Sequence, residues 1–591
     1  MSQQINRNIL WCNTCVNQLI ENGIKNVCVS PGSRSTPLTL AFSLSKKFNL
    51  YPIVDERSSA FFALGLAKES RTPSIIITTS GTAVAEIYPA IIEAYYQRIP
   101  LIVCTADRPP YLRNRGANQT INQNNIFKNH IRFFYDTGLP TIDYSRFVKL
   151  TDNLKKGLQI ALDRNPGPIH YNFPFDKPFE PDNYTDIIEK KLTEKIFLLT
   201  KGKVKQSYED VITPGLKELL NSIQKKKKGI IVCGYNNYGT EFKKVLLKLS
   251  DKIGYPIFAD GSSGLRYGAH SNKNIIENYN ALIRSDEFCK KFDPEIIILF
   301  GGAPTSNQMH DFVKKSRSEK IIINQFGDRN DPTLTAKKVI RINPVKFCKI
   351  VLSTYTGNRV NDDWLNDLIN MNKLVDKIKN RFIGSKDYSF ESKVVFDLLN
   401  FLPEKCNLMI SNSLPIRDID FFSSCSMKQI KVFTNRGASG IDGINSTALG
   451  IAVNSKQPTF LLTGDLAFYH DLNGLYNSIG FNIPITIILI NNSGGGIFHS
   501  LPISRFGKIF RTNFLTPLKL EFNKIVKAFK GIYYIVNRSK EFNAALKKSI
   551  KNGKLSVIEI RTNAKLSSQY RSRFWKITTR EVGKFINDNK N

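Results

Sequence analysis

Short β-branched and aliphatic runs recur along the chain: NVCVS (26–30), SIIITTS (74–80), PLIVCTA (100–106), GIIVC (229–233), EIIILF (295–300), KIIIN (320–324), PTFLL (458–462), IPITIILI (483–490) and SVIEIR (556–561). Most are apolar at consecutive positions, and segments of helical apolar spacing separate them. Strands buried on both faces and linked by helices form parallel sheets covered on two sides, so the pattern predicts an α/β protein throughout. The first helix is expected around Ile9, Leu10, Trp11, Val16, Leu19 and Ile20. It carries Cys12 and Cys15, a lone CxxC that reads as two buried thiols, since neither a second pair nor a histidine cluster accompanies it.

Two polar, charge-rich stretches, roughly 178–210 and 354–390, interrupt the alternation and divide the chain into three blocks, 1–185, 186–360 and 361–591. A length of 591 residues is too great for one core and agrees with about three or four domains. The first and last blocks resemble each other. SIIITTSGTAVAEIYPAIIEAYYQRIPLIVCTADRP and PTFLLTGDLAFYHDLNGLYNSIGFNIPITIILINN each read as strand, glycine turn, amphipathic helix, Ile-Pro and strand. Pro100 lies 19 residues after Gly81, and Pro484 lies 20 after Gly464. The match of turn and strand entry favours duplication over coincidence.

Composition changes this picture little. With 41% hydrophobic and 11% aromatic residues the chain has material for packed interiors. No run approaches the roughly 18 apolar residues of a membrane span, so no membrane insertion is expected. The N-terminal MSQQINRNILWCNTC lacks a basic region followed by an apolar stretch. The expected location is therefore cytoplasmic, or the plastid stroma for an organelle-encoded chain. The net charge of +34 raises nucleic acid as a partner. The lysines are dispersed, however, and the densest run, KKKK at 225–228, has no zinc-finger, RNA-binding or basic-heptad pattern beside it. No nucleic acid is expected; a basic surface attracts acidic metabolites.

The candidate chemistry sits at strand ends, where parallel sheets bind ligands. TGDLAF (463–468) closes one apolar run with Asp465, and NNSGGGIF (491–498) closes the next with Asn491 and Asn492. A buried carboxylate needs a cation to meet it. A carboxylate, an amide oxygen and a carbonyl from a glycine turn are hard ligands suited to Mg²⁺, which keeps phosphate oxygens and water as its other partners. The SGGGIF turn lets backbone approach closely and offers N–H groups to phosphate. Together these describe a Mg²⁺–diphosphate clamp. Each part alone is an ordinary Asp N-cap or Asn-Gly turn.

The spacing G-D, 25 residues, N-N resembles the thiamine diphosphate motif. The resemblance implies Asp465, Asn492 and the Gly494 carbonyl as metal ligands, for Mg²⁺ with Mn²⁺ as an alternative. It also implies that the three blocks are a pyrimidine-binding domain, a central domain and a diphosphate/Mg-binding domain, each a mainly parallel sheet flanked by helices. That cofactor needs a carboxyl beside its aminopyrimidine, and Glu56, after YPIV and before a helical segment, stands where family members place their catalytic glutamate.

VSPGSRSTPL (29–38), DERSSAFFALGLAK (55–68), TSGTAVAE (79–86), ADRPPYLRNRGANQTINQ (106–123), SNSLPIR (411–417) and NRGASGIDG (435–443) narrow the resemblance. They are similar to one group of thiamine diphosphate enzymes, the 2-succinyl-5-enolpyruvyl-6-hydroxy-3-cyclohexene-1-carboxylate synthase family of menaquinone and phylloquinone biosynthesis. The resemblance implies a transferase that decarboxylates 2-oxoglutarate and adds the succinyl unit to isochorismate by conjugate addition. Its substrates carry several carboxylates, for which arginine is the fitting partner. Arg34, Arg108, Arg417 and Arg436 each lie in a Gly/Ser/Asn-rich loop after an expected strand. By resemblance Ser33, Asn118, Gln119 and Ser413 add polar contacts, with Ser413 on the cofactor. Ile441 props the bent cofactor, Ile497 also contacts it, and Phe498 and Leu501 complete the apolar wall at the reactive carbon. The resemblance further implies a homodimer or homotetramer, with each cofactor between the first block of one subunit and the last block of another.

The chain departs from the family pattern after EIIILFGG, where APTSNQMHDF puts Asn307 and Gln308 in place of a lysine and a second basic residue. An amide does not neutralise a carboxylate, a loss of about 1–3 kcal/mol, and Lys314 or Lys315 is the nearby candidate to compensate. Two other readings compete. Another thiamine diphosphate-dependent decarboxylase or carboligase shares the clamp but not the SRSTPL, ADRPP and GASGIDG loops. A non-catalytic polyanion-binding relative sits poorly with intact Glu56, Asp465 and Asn492.

Overall fold

The computed structural model describes residues 5–183, 186–204, 215–236, 238–268, 273–357 and 362–588. The chain divides into two compact units: Met1–Tyr208 with Asn435–Lys456 and Phe468–Ile485, and Glu209–Thr434 with Gln457–Ala467 and Thr486–Asn591.

The first unit is built on the strands β1 (Asn26–Val29), β2 (Asn49–Pro52), β3 (Ser74–Thr78), β4 (Leu101–Asp107), β5 (Phe133–Asp136) and β6 (Ile169–Pro174), in the order β2-β1-β3-β4-β6-β5. Every pairing is parallel, with Asn26 beside Ser74 and Ser74 beside Leu101. β1, β3, β4 and β6 are buried at every position, as continuous apolar runs require. A core of Trp11, Val16, Phe42, Phe147, Leu154 and Tyr171 packs on this sheet, and the helix Arg7–Glu21 brings Cys12 and Cys15 into it as free, buried thiols. The helix Glu56–Ser70 lies against β1 and β3 and pairs with the helix Ile444–Ala452. Glycine permits that pairing: a Cβ on Gly65 would stand 2.1 Å from the Thr447 carbonyl oxygen, and one on Gly450 2.1 Å from that of Phe62.

The second unit holds two sheets. The strands β7 (Gly229–Cys233), β8 (Ile257–Ala259), β9 (Ile296–Phe300), β10 (Glu319–Ile323) and β11 (Lys338–Ile340) run in the order β11-β10-β9-β7-β8. The strands β12 (Lys405–Ile410), β13 (Gln429–Thr434), β14 (Thr459–Gly464), β15 (Thr486–Asn491), β16 (Ile532–Ile535) and β17 (Ser556–Arg561) run in the order β13-β12-β14-β15-β17-β16. Counted from its own first strand, each six-stranded sheet reads 2-1-3-4-6-5, and both are wholly parallel. The internal likeness in sequence thus extends to the path of the whole sheet.

The polar stretches are more ordered than their composition implies. The helix Lys190–Leu199 sets Leu192, Ile196 and Leu199 against the first core. The helix Asp362–Gly384 buries Trp364, Leu368, Met371 and Val375 against the β7–β11 sheet. Those four recur at steps of three or four, so one face is apolar although the segment is polar on average. The expected block boundaries fall at 185 and 360, which lie outside the described residues.

Candidate functional site

The expected site residues form two groups, one on each unit. On the first, the chain turns after β3 at Ser80-Gly81 and after β4 at Asp107-Arg108, bringing the polar loops together. Arg108 donates from Nη1 to the Ser80 hydroxyl and from Nη2 to the Asn118 carbonyl, both at 2.7 Å. Gln119 is held in left-handed backbone at φ +56° and donates to the Ser80 carbonyl. A non-glycine residue in that region is strained and persists only where its surroundings dictate it. Arg34, in the short 3₁₀ turn Ser33–Ser35, donates to the Phe175 carbonyl and stacks 4.6 Å over Phe179. Its Nε is buried with no acceptor among the described residues. Burial, with the like charge of Arg108 added, lowers its pKa to about 10. Burial likewise lowers that of Arg108. Asp176 and Asp107 partly oppose the shift of Arg34. Ser33 itself is exposed at its rim.

Glu56 opens its helix, but the cap is Asp55, whose carboxylate accepts the Ser58 N–H at 2.9 Å. The ordinary explanation for an acid at a helix start therefore belongs to Asp55 and leaves the half-buried Glu56 carboxyl for other work. Burial raises its pKa, and Asp55 and Glu86 add to the effect.

Arg436 and Ile441 lie in the loop 435–443 of the same unit. The spacing gave no sign of what supports this loop. Glu93, 3% exposed, accepts the backbone N–H groups of Gly437 and Ala438 at 2.9 and 2.6 Å. Buried Lys68 donates to Asn435 at 2.7 Å. A cavity of about 140 Å³ opens among Phe61, Ile92, Glu93, Ala438 and Asp442. Gly443, at φ +61°, packs directly on the Phe61 ring.

On the second unit, β14 and β15 are neighbours, Gly464 beside Ile490, so Asp465 and Asn492 both follow the ends of adjacent strands. Asp465 is 2% exposed. Its Oδ2 accepts the Gly494 N–H at 2.7 Å and its Oδ1 the Leu466 N–H at 2.9 Å. The Gly494 bond ties two loops together, which an N-cap would not do, while the Leu466 bond is local to the start of the helix Asp465–His470. No cation faces the carboxylate among the described residues, and burial raises its pKa to about 6. The two asparagines divide their duties. Asn491 donates to Glu559 and closes the turn by accepting the Ser493 N–H. Asn492 donates from Nδ2 to Glu391 at 2.7 Å, and its buried Oδ1 accepts nothing among the described residues.

The glycines act differently from expectation. The N–H of Gly494 goes to Asp465, that of Gly495 to the Leu515 carbonyl and that of Gly496 to the Gly494 carbonyl. None of the three is left for phosphate, because the turn folds back on Leu515. Gly494 is required there: at φ +125° its Cβ would stand 2.0 Å from the Leu515 oxygen. Its carbonyl has one lone pair engaged by Gly496 and a second remaining.

Beside this group Ser413 takes φ +71° and starts the helix Leu414–Phe422, so Arg417 sits on a helix rather than in a loop and donates to the Ser413 carbonyl at 2.6 Å. Pro415 in the first turn explains the early start. Ile497 and Phe498 are half-buried on the turn Gly496–Ser500, with Phe498 edge-on to Phe514, and Leu501 is 46% exposed. Asn307 opens the helix Asn307–Lys315 and is exposed, whereas Lys314 and Lys315 close it. Seven residues of helix separate Asn307 from Lys314 by about 10 Å along the axis.

The arrangement fits a divalent cation carrying a diphosphate. Among the described residues it presents a buried carboxylate without a cation, a buried amide oxygen without a donor, and a backbone carbonyl in a turn only glycine can make. One carboxylate with two neutral oxygens leaves room for the phosphate oxygens and water that Mg²⁺ prefers.

Family comparison places these loops in context. Residues 13–126 match the N-terminal TPP binding domain of thiamine pyrophosphate enzymes, 206–410 their middle domain and 425–560 their C-terminal TPP binding domain. The chain is 38% identical over 570 residues to a 2-succinyl-5-enolpyruvyl-6-hydroxy-3-cyclohexene-1-carboxylate synthase of Bacillus cytotoxicus, covering 96% of both chains. It is 34% identical to that of Geobacillus thermodenitrificans, covering 97% of this chain and 96% of the relative. It is 35% identical to that of Trichodesmium erythraeum, covering 95% of this chain and 97% of the relative. With nearly its full length matched to these relatives and all three domain models found in order along it, the chain belongs to the thiamine diphosphate-dependent 2-succinyl-5-enolpyruvyl-6-hydroxy-3-cyclohexene-1-carboxylate synthase family.

Proposed function

We propose that this protein decarboxylates 2-oxoglutarate and transfers the resulting succinyl unit to isochorismate by conjugate addition, releasing CO₂, in menaquinone or phylloquinone biosynthesis. The observation that carries the reading is the incomplete oxygen set of Asp465 and Asn492, on a chain that also gathers desolvated arginines. When bound, thiamine diphosphate supplies the nucleophilic carbon and the electron sink that loss of CO₂ from a 2-oxo acid requires.

The chain's own residues hold, orient and exclude. Asp465, the Asn492 Oδ1 and the Gly494 carbonyl would hold Mg²⁺, or Mn²⁺ in its place, and through it the diphosphate. Ser413, Ile441 and Ile497 would contact the cofactor. The Glu56 carboxyl would meet the aminopyrimidine ring nitrogen and keep a proton there, a task its raised pKa favours. Arg34, Arg108, Arg417 and Arg436 would orient the substrate carboxylates and offset their charge, with Ser33, Asn118 and Gln119 adding hydrogen bonds. Phe498 and Leu501 would keep water from the reacting carbon. With Asn307 in a formerly basic position, the arginines carry the charge balance. Asn307→Lys is then expected to lower the KM for a carboxylate substrate without changing kcat.

The acting species is proposed to be a homodimer or homotetramer, to be read from the solution mass. Among the described residues no helix is long and apolar enough to cross a membrane. The test supplies the purified protein with thiamine diphosphate, Mg²⁺, 2-oxoglutarate and isochorismate, and follows product by mass spectrometry. Stoichiometric succinyl adduct is expected. Release of CO₂ without the adduct would assign a different acceptor, and cofactor binding without either would favour a non-catalytic role.

A further inference from the structure

Behind Asn492 lies a buried chain of charges that the expected clamp does not include. Glu391, at the start of the helix Glu391–Phe401, accepts the Asn492 Nδ2–H at 2.7 Å on one oxygen and the Arg571 Nη2–H at 2.7 Å on the other. Arg571, on the helix Ala564–Asp588, reaches Asp418 with two bonds, Nε at 3.0 Å and Nη2 at 2.7 Å. Ser392 donates to the same carboxylate, and the Glu391 N–H goes to Ser567. The side chains of Glu391 and Asp418 are each 1% exposed, and that of Arg571 12%.

This arrangement solves a problem of orientation. The two ends of an amide have nearly the same size and shape, so packing cannot decide which faces a cation; only hydrogen bonding can. An ionised carboxylate accepts and never donates. One Glu391 oxygen accepts from Arg571 and the other from Asn492 Nδ2, so Oδ1 faces away, where it is buried without a donor among the described residues. Arg571 occupies the other Glu391 oxygen, and the two bonds that Arg571 donates to Asp418 fix its guanidinium.

We propose that Glu391 is a positioning residue for the metal: backed by Arg571 and Asp418, it sets the Asn492 amide so that Oδ1 is presented to Mg²⁺. This rests on the reading of Asp465 and Asn492 as the Mg²⁺ clamp. Partners one step removed from a metal typically change affinity 10- to 100-fold.

The test measures Mg²⁺-dependent thiamine diphosphate binding by calorimetry on the full-length protein, with unfolding midpoints recorded without metal. Glu391→Gln is expected to weaken Mg²⁺ about 10- to 100-fold, while kcat at saturating Mg²⁺ stays within a few-fold. The second variant pairs Glu391→Gln with Asn492→Asp. There the glutamine amide donates to the new carboxylate, its carbonyl still faces Arg571, and either carboxylate oxygen serves the metal. Most of the lost affinity is expected to return. A structural role for Glu391 alone would not be rescued by changing Asn492. Unchanged Mg²⁺ affinity in Glu391→Gln overturns the proposal, as does a paired variant no better than the single one. If the parent binds the cofactor without regard to Mg²⁺, the clamp reading falls and this proposal with it. If the parent depends on Mg²⁺ and Glu391→Gln is unaffected, only the proposal falls.

Discussion

The sheet β1–β6 and the sheet β12–β17 follow one strand order, yet their corresponding strand ends carry opposite chemistry. After β3 the chain continues Ser80-Gly81, and after β14 the corresponding turn brings Asp465. After β4 comes Arg108, and β15 ends in Asn491, with Asn492 following it. The first sheet collects guanidiniums in partly desolvated loops, and burial, with the like charge of Arg108 added, lowers the pKa of Arg34. The other collects oxygens: a carboxylate whose pKa burial lifts to about 6, and an amide oxygen with no donor among the described residues. One is short of an anion and the other of a cation. A shared fold therefore fixes where a ligand meets the protein, and a few loop residues decide its charge.

The first way to break this comparison is Glu56→Gln, the largest effect expected. CO₂ release from 2-oxoglutarate is expected to slow by about 10²–10⁴-fold, with Mg²⁺-dependent cofactor binding nearly unchanged. Surviving turnover would take the proton-holding role away from Glu56. Next is Asp465→Asn, which tests the cation side alone. Its loss in Mg²⁺ affinity should exceed the ~10–100-fold typical of an outer partner, and calorimetric titration reads it. Equal affinity in the variant would mean that the oxygen set is structural.

Arg108→Ala sharpens the anion side. Loss of a charge-assisted contact of about 1.5–3 kcal/mol predicts a KM for a carboxylate substrate raised about 10- to 100-fold, with kcat little altered. Because a like charge beside Arg34 disappears, the unfolding midpoint should not fall. A fall in kcat at constant KM would contradict substrate binding by Arg108.

The smallest expected effect concerns Lys68, under the 435–443 loop. Burial lowers its pKa to about 8 from the ordinary 10.5, against the partly opposing charge of Glu93. Below about pH 8 it is charged in both folded and unfolded states. Between pH 8 and 10.5 the unfolded chain holds the proton that the folded one has released, so stability rises with pH through that window. Thermal melts at pH 8 and pH 10 should show this contribution, and Lys68→Met should remove it. A variant with the same pH slope as the parent would rule Lys68 out as its source.

Much of the molecule was legible along the chain. Parallel α/β structure, the first-to-last likeness and the ends of the buried strands β3, β4, β14 and β15 follow from apolar runs and turn residues, which act over a few positions, whereas strands such as β2, β5 and β16 were not read from the chain. The G-D and N-N turns and the arginine loops are local in the same way. Other features were local but masked by average polarity, as in 354–390, where one helical face is apolar. That Glu56 opens a helix was also readable, but that Asp55 provides the cap was not, since either acid could occupy the place.

What tertiary structure decided is everything that joins distant residues. Asn492 meets Glu391 across 101 positions, and Arg571 meets Glu391 and Asp418 across 180 and 153. Glu93 supports backbone N–H groups 344 and 345 positions away. Which asparagine offers a bare oxygen, and whether a glycine N–H is free for phosphate, depended on how loops fold back on one another. The physical reason is a difference in range. Apolar periodicity and turn geometry act between neighbours and so are written into the sequence. A buried polar group is satisfied by whichever partner the packed sheets bring within about 3 Å, and that partner is known only when the chain has folded.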